Sequence, residues 1–468
     1  MPRLIFFIVV ASVLLRIAYS VAILGFDGSF HNGSDSEKYI VIAENLVSTG
    51  SFSYVETGDG APALIPVTDR MPLYPYFIAG MMVVFDENAL TAIALIQTLV
   101  DGLTVALLAL AAAAIDRRLA VPTAIFAAIS PNLLVHASYI LTETMFLFFF
   151  VAALTALLWA LRGWRTTTML VCAGLALGLA LLTRPVIMFF PIFLFPTLIY
   201  ALPAARRVSL GRAVILAAIP VVIMIAFAVP RLADNHARLG HAVLTTQSGA
   251  HLLKWVYPCL KTPWSCASHG DDWAANKPLV DARLTELPPE DAANPAIRNE
   301  VFQSVAVERI SELGVVQIAV GATVGAFKNV IQTGFYETLT QFRQPATFFS
   351  AMTGNNLAEK VGNFLTTNST NIFMMLWVVA QVGLMLSRVV QLVGLGAGLT
   401  NPLIRPFTIV LIMTIVYFLA VNGPIGNPKY RIPAEPGFFI LLSMGFYSLL
   451  DWWRARQGAT NRIATPHE

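Results

Sequence analysis

Six ionisable side chains stand out because each lies where an apolar run meets a polar one. Asp35 sits in "SDSEKY" (34–39), just after the first apolar segment, and Arg70 opens "RMPLYPYF". Glu143 begins an apolar run in "ILTETMF", and Arg184 lies in "LLTRPV", between two runs with no room for a loop. Lys429 and Arg431 flank Tyr430 in "NPKYRIPAEP". Arginine offers paired hydrogen bonds to phosphate oxygens, and lysine offers a point charge. A carboxylate nearby can take the proton of an incoming hydroxyl, while the cations stabilise an anionic leaving group. The combination describes group transfer from a membrane-borne phosphate: Asp35 as base; Arg70, Arg184, Lys429 and Arg431 for phosphate. Glu143 is a candidate second carboxylate. The plainer readings are a helix-start acid for Asp35 and Glu143, and headgroup contact for the basic residues. No P-loop, zinc motif or serine elbow accompanies them, so common soluble chemistries have no support.

These residues need a membrane scaffold. Of 468 residues, 57% are hydrophobic and 12% charged. A soluble domain carries roughly 25% charged residues, so the composition points to an all-α polytopic membrane protein. The net charge of +3 and the lack of a basic tract argue against nucleic acid. Apolar runs lie near 4–26, 89–115, 119–137, 143–161, 167–183, 185–203, 213–230, 371–390, 404–421 and 437–453, about ten spans by length. The first reads as a retained anchor, since no small-residue cleavage site follows. Arg117, Arg118, Arg162, Arg165, Arg206, Arg207, Arg388, Arg405 and Arg454 fall in alternate connections. The positive-inside rule then puts both termini in the cytoplasm. Segments 27–88 and 231–370 become outer loops; 89–230 and 371–455 carry the other spans, and 456–468 forms a cytoplasmic tail.

The outer loops hold more than linkers. Ser34 and Glu37 have the spacing of a capping box, and Ile40, Ala43 and Val47 share a helical face, which predicts an interfacial helix. The run 70–85 is apolar but short and interrupted by Pro72 and Pro75, and reads as interfacial or half-buried. The stretch 299–332 reads as a helix meeting the membrane obliquely, with 312–333 a candidate eleventh span. Cys259 and Cys266 flank "LKTPWS", a spacing that suits a disulfide in an oxidising exterior; two free thiols are the alternative. Lys254 and Trp255 lie in an aromatic-rich stretch, suited either to stacking on a sugar or to packing on the membrane surface; Tyr430 is a further sugar or lipid contact. Arg16 and Asp101, each within a span, fall at depths about 6 Å apart, near enough to pair.

The order "SDSEKY", "RMPLYPYF", "SPNLLVHASYILTETMF", "GLALGLALLTRP", "KYRIPAEP" resembles the GT-C glycosyltransferases of the protein O-mannosyltransferase and lipid A aminoarabinose transferase superfamily, over roughly 1–200 and 400–455. The resemblance implies a GT-C-like bundle of about 10–12 membrane helices with interfacial helices in two outer loops. It implies transfer of a sugar from a polyprenyl-phosphate donor to a lipid, glycan or protein acceptor on the outer side, usually with inversion. It assigns Asp35 as base or acceptor-orienting group, and Arg70, Arg184, Lys429 and Arg431 as the basic residues of the family's motifs. Here Met71 intervenes between Arg70 and the first proline, and "DSE" replaces two adjacent acids, so Glu37 is not a substitute. A bacterial inner membrane is the implied setting. No cofactor is certain, and a divalent metal is an option without a clear ligand cluster. A transporter or flippase of a lipid-linked saccharide is the rival, but such proteins tend to show repeat symmetry and polar breaks at mid-membrane.

Overall fold

A computed structural model describes residues 2–27, 33–56, 63–266, 269–335, 338, 342, 352–353 and 356–463. In lipid the backbone of an apolar run can satisfy itself only within a helix, and helices occupy all ten runs. The first half comprises α1 (Pro2–Asp27), α2 (Gly33–Thr49), α3 (Leu73–Phe85), α4 (Ala89–Ile115), α5 (Ala120–Ala128), α6 (Pro131–Ala137), α7 (Glu143–Arg162), α8 (Thr166–Thr183), α9 (Phe190–Arg206) and α10 (Leu210–Leu239). A hairpin between α2 and α3 pairs β1 (Ser53–Glu56) with β2 (Ala63–Pro66) antiparallel. Short helices α11 (Ser248–His251), α12 (Tyr257–Lys261), α13 (His269–Thr285) and α14 (Pro289–Ala293) lead to α15 (Pro295–Glu312) and α16 (Gly314–Ile331). Then follow α17 (Leu357–Asn368), α18 (Ile372–Thr400), α19 (Arg405–Asn422), α20 (Pro428–Arg431) and α21 (Glu435–Ile463). Among the described residues, nine helical stretches are long and apolar enough to cross a membrane, or ten if the bent pair α5–α6 is one span. The protein is an integral membrane protein.

Three features differ in detail from the sequence reading, and the candidate eleventh span is among the helices long enough to cross. The run 119–137 is bent by 57° between α5 and α6. Pro131 lacks the N–H that would bond the Ala127 carbonyl, and it disfavours helical backbone at Ser130, which is extended. Arg388 lies inside α18 rather than in a basic turn, because that helix runs on to Thr400. Its Nε donates to the Val330 carbonyl (2.9 Å) and its guanidinium lies 4.0 Å from the Phe438 ring. α3 joins α4 through one turn at Asp86–Asn88, making a 43-residue apolar stretch. At 1.5 Å per residue α3 alone covers about 20 Å, less than the roughly 30 Å hydrocarbon core. α16 is long and apolar enough to count among the nine.

The main core gathers α4, α7, α8, α9, α10, α19 and α21. Its upper part is an aromatic cluster in which Phe150 lies 5.0 Å from Phe418 and Phe190 lies 5.1 Å from Tyr417. Gly174 and Gly178 of "GLALGLALL" let α8 approach α10. A side chain at either would strike Pro220 and Ile223, or the Phe227 ring. Arg16 and Asp101 form the expected ion pair, almost wholly buried. The same guanidinium reaches Ser12 Oγ (2.6 Å) and the carbonyls of Ala128 (3.0 Å) and Ala127 (3.3 Å). It therefore supplies donors where the α5–α6 break leaves carbonyls exposed.

Candidate active site

Two groups of charges face each other across one cavity. The first belongs to the outer segment between α1 and α4. α2 begins at Gly33, so Asp35 lies in its first turn, where backbone amides favour an anion. The Ser34 side chain lies outside the described residues, so the expected capping box is not described. The Asp35 carboxylate is 53% exposed and accepts a bond from Arg70 Nη2 at 3.0 Å. Arg70 is buried; its Nη1 lies 3.8 Å from Asp69, and its guanidinium lies 5.6 Å from the centre of the Tyr39 ring. Burial works against its charge, but the Asp69 and Asp35 carboxylates beside it raise its pKa above the ordinary value. Burial also pushes the Tyr39 phenol up, so it stays protonated.

The strip Val67–Arg70 holds this group in place. Arg231 of α10 donates from Nη2 to the carbonyls of Val67 (2.7 Å) and Arg70 (3.2 Å). Thr246 N–H donates to the Thr68 carbonyl (3.1 Å), and the two threonine hydroxyls meet at 2.9 Å. Tyr54 of β1 donates to Asp69 Oδ1 at 3.0 Å. Neither Arg231 nor these threonines carries a recognisable motif.

The second group sits at the tops of the membrane helices. Glu143 opens α7 and is buried. One of its oxygens accepts from Arg184 Nη1 and lies 3.3 Å from Lys429 Nζ. Pro185 forces the preceding residue out of the helical region, so Arg184 is extended (φ −145°, ψ 131°) and leaves the end of α8 for the cavity. Burial opposes the Arg184 charge, but Glu143 outweighs it and the guanidinium pKa rises. Asn427 caps α20 by accepting from the Lys429 N–H at 2.9 Å, which sets the lysine at the start of that turn.

The cavity between them holds about 320 Å³ and is lined by Asp35, Asp69, Arg70, Glu143, Arg184, Lys429 and Tyr430, with Tyr39, Gln247 and His251. That volume is at the low end of the roughly 300–1,000 Å³ of small-molecule sites. The outer group has two carboxylates and one cation, an excess of one negative charge. The helix-top group has two cations and one carboxylate, an excess of one positive charge. A narrow extension between Glu143, Arg184 and Lys429 reaches Phe146 and Pro433 above the aromatic cluster.

The structure thus brings Asp35, Arg70, Glu143, Arg184, Lys429 and Tyr430 together and leaves three expected contacts out. Arg431 is buried and turned away. It bonds Glu435 at 2.7 Å and the carbonyls of Asn329 and Gln332 (2.6 Å for Gln332), fastening the end of α16 to the bundle. A phosphate role for Arg431 is replaced by a structural one. Lys254 and Trp255 are not in the cavity lining. The Lys254 ammonium lies 4.0 Å from the Trp273 ring and 5.6 Å from Phe302, against the small outer-loop core. Cys259 and Cys266 are joined in a disulfide. Among the described residues no three His, Cys, Asp or Glu side chains group as a metal site. Sequence reasoning passed over Tyr39, Asp69, Gln247 and His251. Asp69 adjoins Arg70 and Tyr39 closes "SDSEKY", so both were within sight. Gln247 and His251 carried no signal beyond a four-residue spacing.

The helix arrangement is similar to that of solved membrane glycosyltransferases. Residues 69–232, just over a third of the chain, match the family model described as Dolichyl-phosphate-mannose-protein mannosyltransferase. Over 99% of its length the chain superposes on the oligosaccharyltransferase AglB of Archaeoglobus fulgidus, solved with an inhibitory peptide and a dolichol-phosphate (TM-score 0.53, 14% identity). The apo form of that oligosaccharyltransferase gives a TM-score of 0.54 at 15% identity. In both cases the chain spans about half the length of the archaeal enzyme, 52%. ArnT of Cupriavidus metallidurans bound to undecaprenyl phosphate is a looser likeness, with a TM-score of 0.40 at 16% identity, covering 92% of this chain and 76% of ArnT. No curated protein matches in sequence.

Proposed function

We propose that this protein is a membrane glycosyltransferase that moves a sugar from a polyprenyl-phosphate carrier to a hydroxyl of a lipid, glycan or protein acceptor. The observation that carries the reading is the opposite charge imbalance of the two walls of one cavity. The helix-top wall suits an anionic phosphate, with Arg184 and Lys429 as its ligands and Glu143 keeping both side chains in place. The outer wall suits an acceptor hydroxyl. Its oxygen attacks the anomeric carbon while its proton passes to Asp35. The bond from that carbon to the phosphate oxygen breaks, and its electron pair leaves with the carrier as polyprenyl phosphate. Attack from the side opposite the phosphate inverts the anomeric centre.

Arg70 orients Asp35 and balances it between turnovers. The prenyl chain lies along the lipid-exposed helix tops. The basic connections at Arg117–Arg118, Arg162–Arg165 and Arg206–Arg207 support a cytoplasmic side opposite the cavity, and the disulfide supports an oxidising compartment on the cavity side. A bacterial inner membrane with the cavity on its outer face fits both.

Asp35→Asn is the test. The variant keeps the shape of the wall and loses the proton acceptor, so transfer falls on the order of 10²–10⁴-fold while a polyprenyl-phosphate sugar still binds. Unimpaired transfer by the variant would refute the assignment. A wild-type protein that moves the carrier across a bilayer and forms no glycosidic product would make it a flippase.

A further inference from the structure

The cavity has a third wall that the proposed chemistry does not use. Gln247 and His251 line it from the outer loop, and among the described residues neither side chain meets a hydrogen-bond partner. They stand four residues apart on one helical turn, closed by the bond from the His251 N–H to the Gln247 carbonyl (2.9 Å). That spacing sets both side chains on one face.

The opposite face of this turn is fixed to α15. Gly249 N–H donates to Asn299 Oδ1 at 2.7 Å, and the Gly249 Cα lies so close that a side chain would strike the Asn299 carbonyl. Ser248 and Asn299 side chains also meet, at 3.1 Å. On the near side, Thr245 and Thr246 are tied to the Val67–Arg70 strip. The turn is therefore held between the loop's own core and the strip that carries Arg70, and it presents two polar side chains that no other described residue satisfies. Burial, and next the Arg184 guanidinium, push the His251 imidazole down from its ordinary value, so the ring is neutral and offers one donor and one acceptor. The Gln247 amide offers the same pair of functions. Uncharged groups that both donate and accept match neutral hydroxyls, which do the same.

We infer that Gln247 and His251 form a sugar-hydroxyl subsite that reads the neutral glycosyl group of the donor. The inference rests on the proposed transfer reaction and adds to it the source of sugar recognition: the cations hold the phosphate, and this turn holds the ring. Binding to the purified protein in nanodiscs separates the two. The probes are bare undecaprenyl phosphate and the same carrier bearing mannose, glucose or galactose.

The expected result is that at least one hexose carrier binds wild type more tightly than the bare carrier. His251→Ala and Gln247→Ala then each lose about tenfold in affinity for that hexose carrier and bind the bare carrier as wild type does. His251→Asn, which keeps a donor and an acceptor, recovers part of the loss. Equal losses for bare and hexose-bearing carriers in both alanine variants would overturn the subsite, as would no hexose carrier exceeding the bare one on wild type. Should His251→Ala fail to fold, the Gln247→Ala comparison decides alone. A wild-type protein that binds none of the carriers would instead overturn the glycosyltransferase reading itself.

Discussion

The ion pair Arg16–Asp101 and the ion pairs of the cavity are built from similar charged side chains in different surroundings. Arg16 is wholly buried, and its guanidinium meets Asp101, Ser12 and two carbonyls. Its charge is spent on holding α1, α4 and the end of α5 together. Asp35 is half in solvent, and Glu143 shares one oxygen between two cations. Those groups are held, but not saturated, and they border open volume. Arg431, with Glu435 and two carbonyls, belongs with Arg16, although its motif suggested otherwise. Arg16 and Arg431 are buried with a carboxylate and backbone carbonyls as partners, whereas Asp35, Arg184 and Lys429 border open volume.

Three substitutions test that distinction, beyond Asp35→Asn, whose loss of up to about 10⁴-fold is the largest expected. Arg184→Ala removes a cation from the proposed phosphate site and should lower turnover by roughly 10²–10³-fold, by the scale of losing one charge-stabilising donor. The folded yield should hold, and single-turnover rates on purified protein check it. Asp101→Asn should do the reverse. Breaking a buried pair costs about 3–5 kcal/mol, so thermal stability and yield fall while the specific activity of the folded fraction stays. Lost activity at normal yield would put Asp101 with the functional charges. Arg231→Gln gives the smallest effect. It frees the Val67–Arg70 strip, and should lower kcat about tenfold, from misplacement of the Asp35–Arg70 pair. KM for the donor should be unchanged, with partial rescue by Arg231→Lys. A change in KM alone would break the positioning role.

Much of the scaffold could be read from the chain. Apolar length alone gave the membrane helices, because lipid leaves the backbone no other choice. The meeting of Arg16 with Asp101 followed from counting helix rise. The break after α5 hung on Pro131 alone, and the α5–α6 bend angle is a matter of packing. Arg388 was misread because an apolar run says nothing of how far a helix continues past its last greasy turn. Arg431 was misread because a motif was treated as a unit. Yet Arg431 and Glu435 stand four residues apart, the spacing of an intrahelical pair. Asp35, Arg70, Glu143, Arg184 and Lys429 were legible because membranes make charge conspicuous. Gln247 and His251 were not, since uncharged polar residues in a long loop are ordinary and only the fold aims them.

Arg431 also ties distant parts of the protein into one mechanical unit. It grips the last carbonyls of α16 from a backbone turn it shares with Lys429, two residues earlier. α16 in turn leans on the disulfide-closed segment through Gln317, which donates to the Leu260 carbonyl at 2.7 Å, and through Lys328, which donates to that of Trp264 at 3.3 Å. The disulfide-closed segment is therefore linked, through α16 and Arg431, to the turn whose Lys429 lines the cavity.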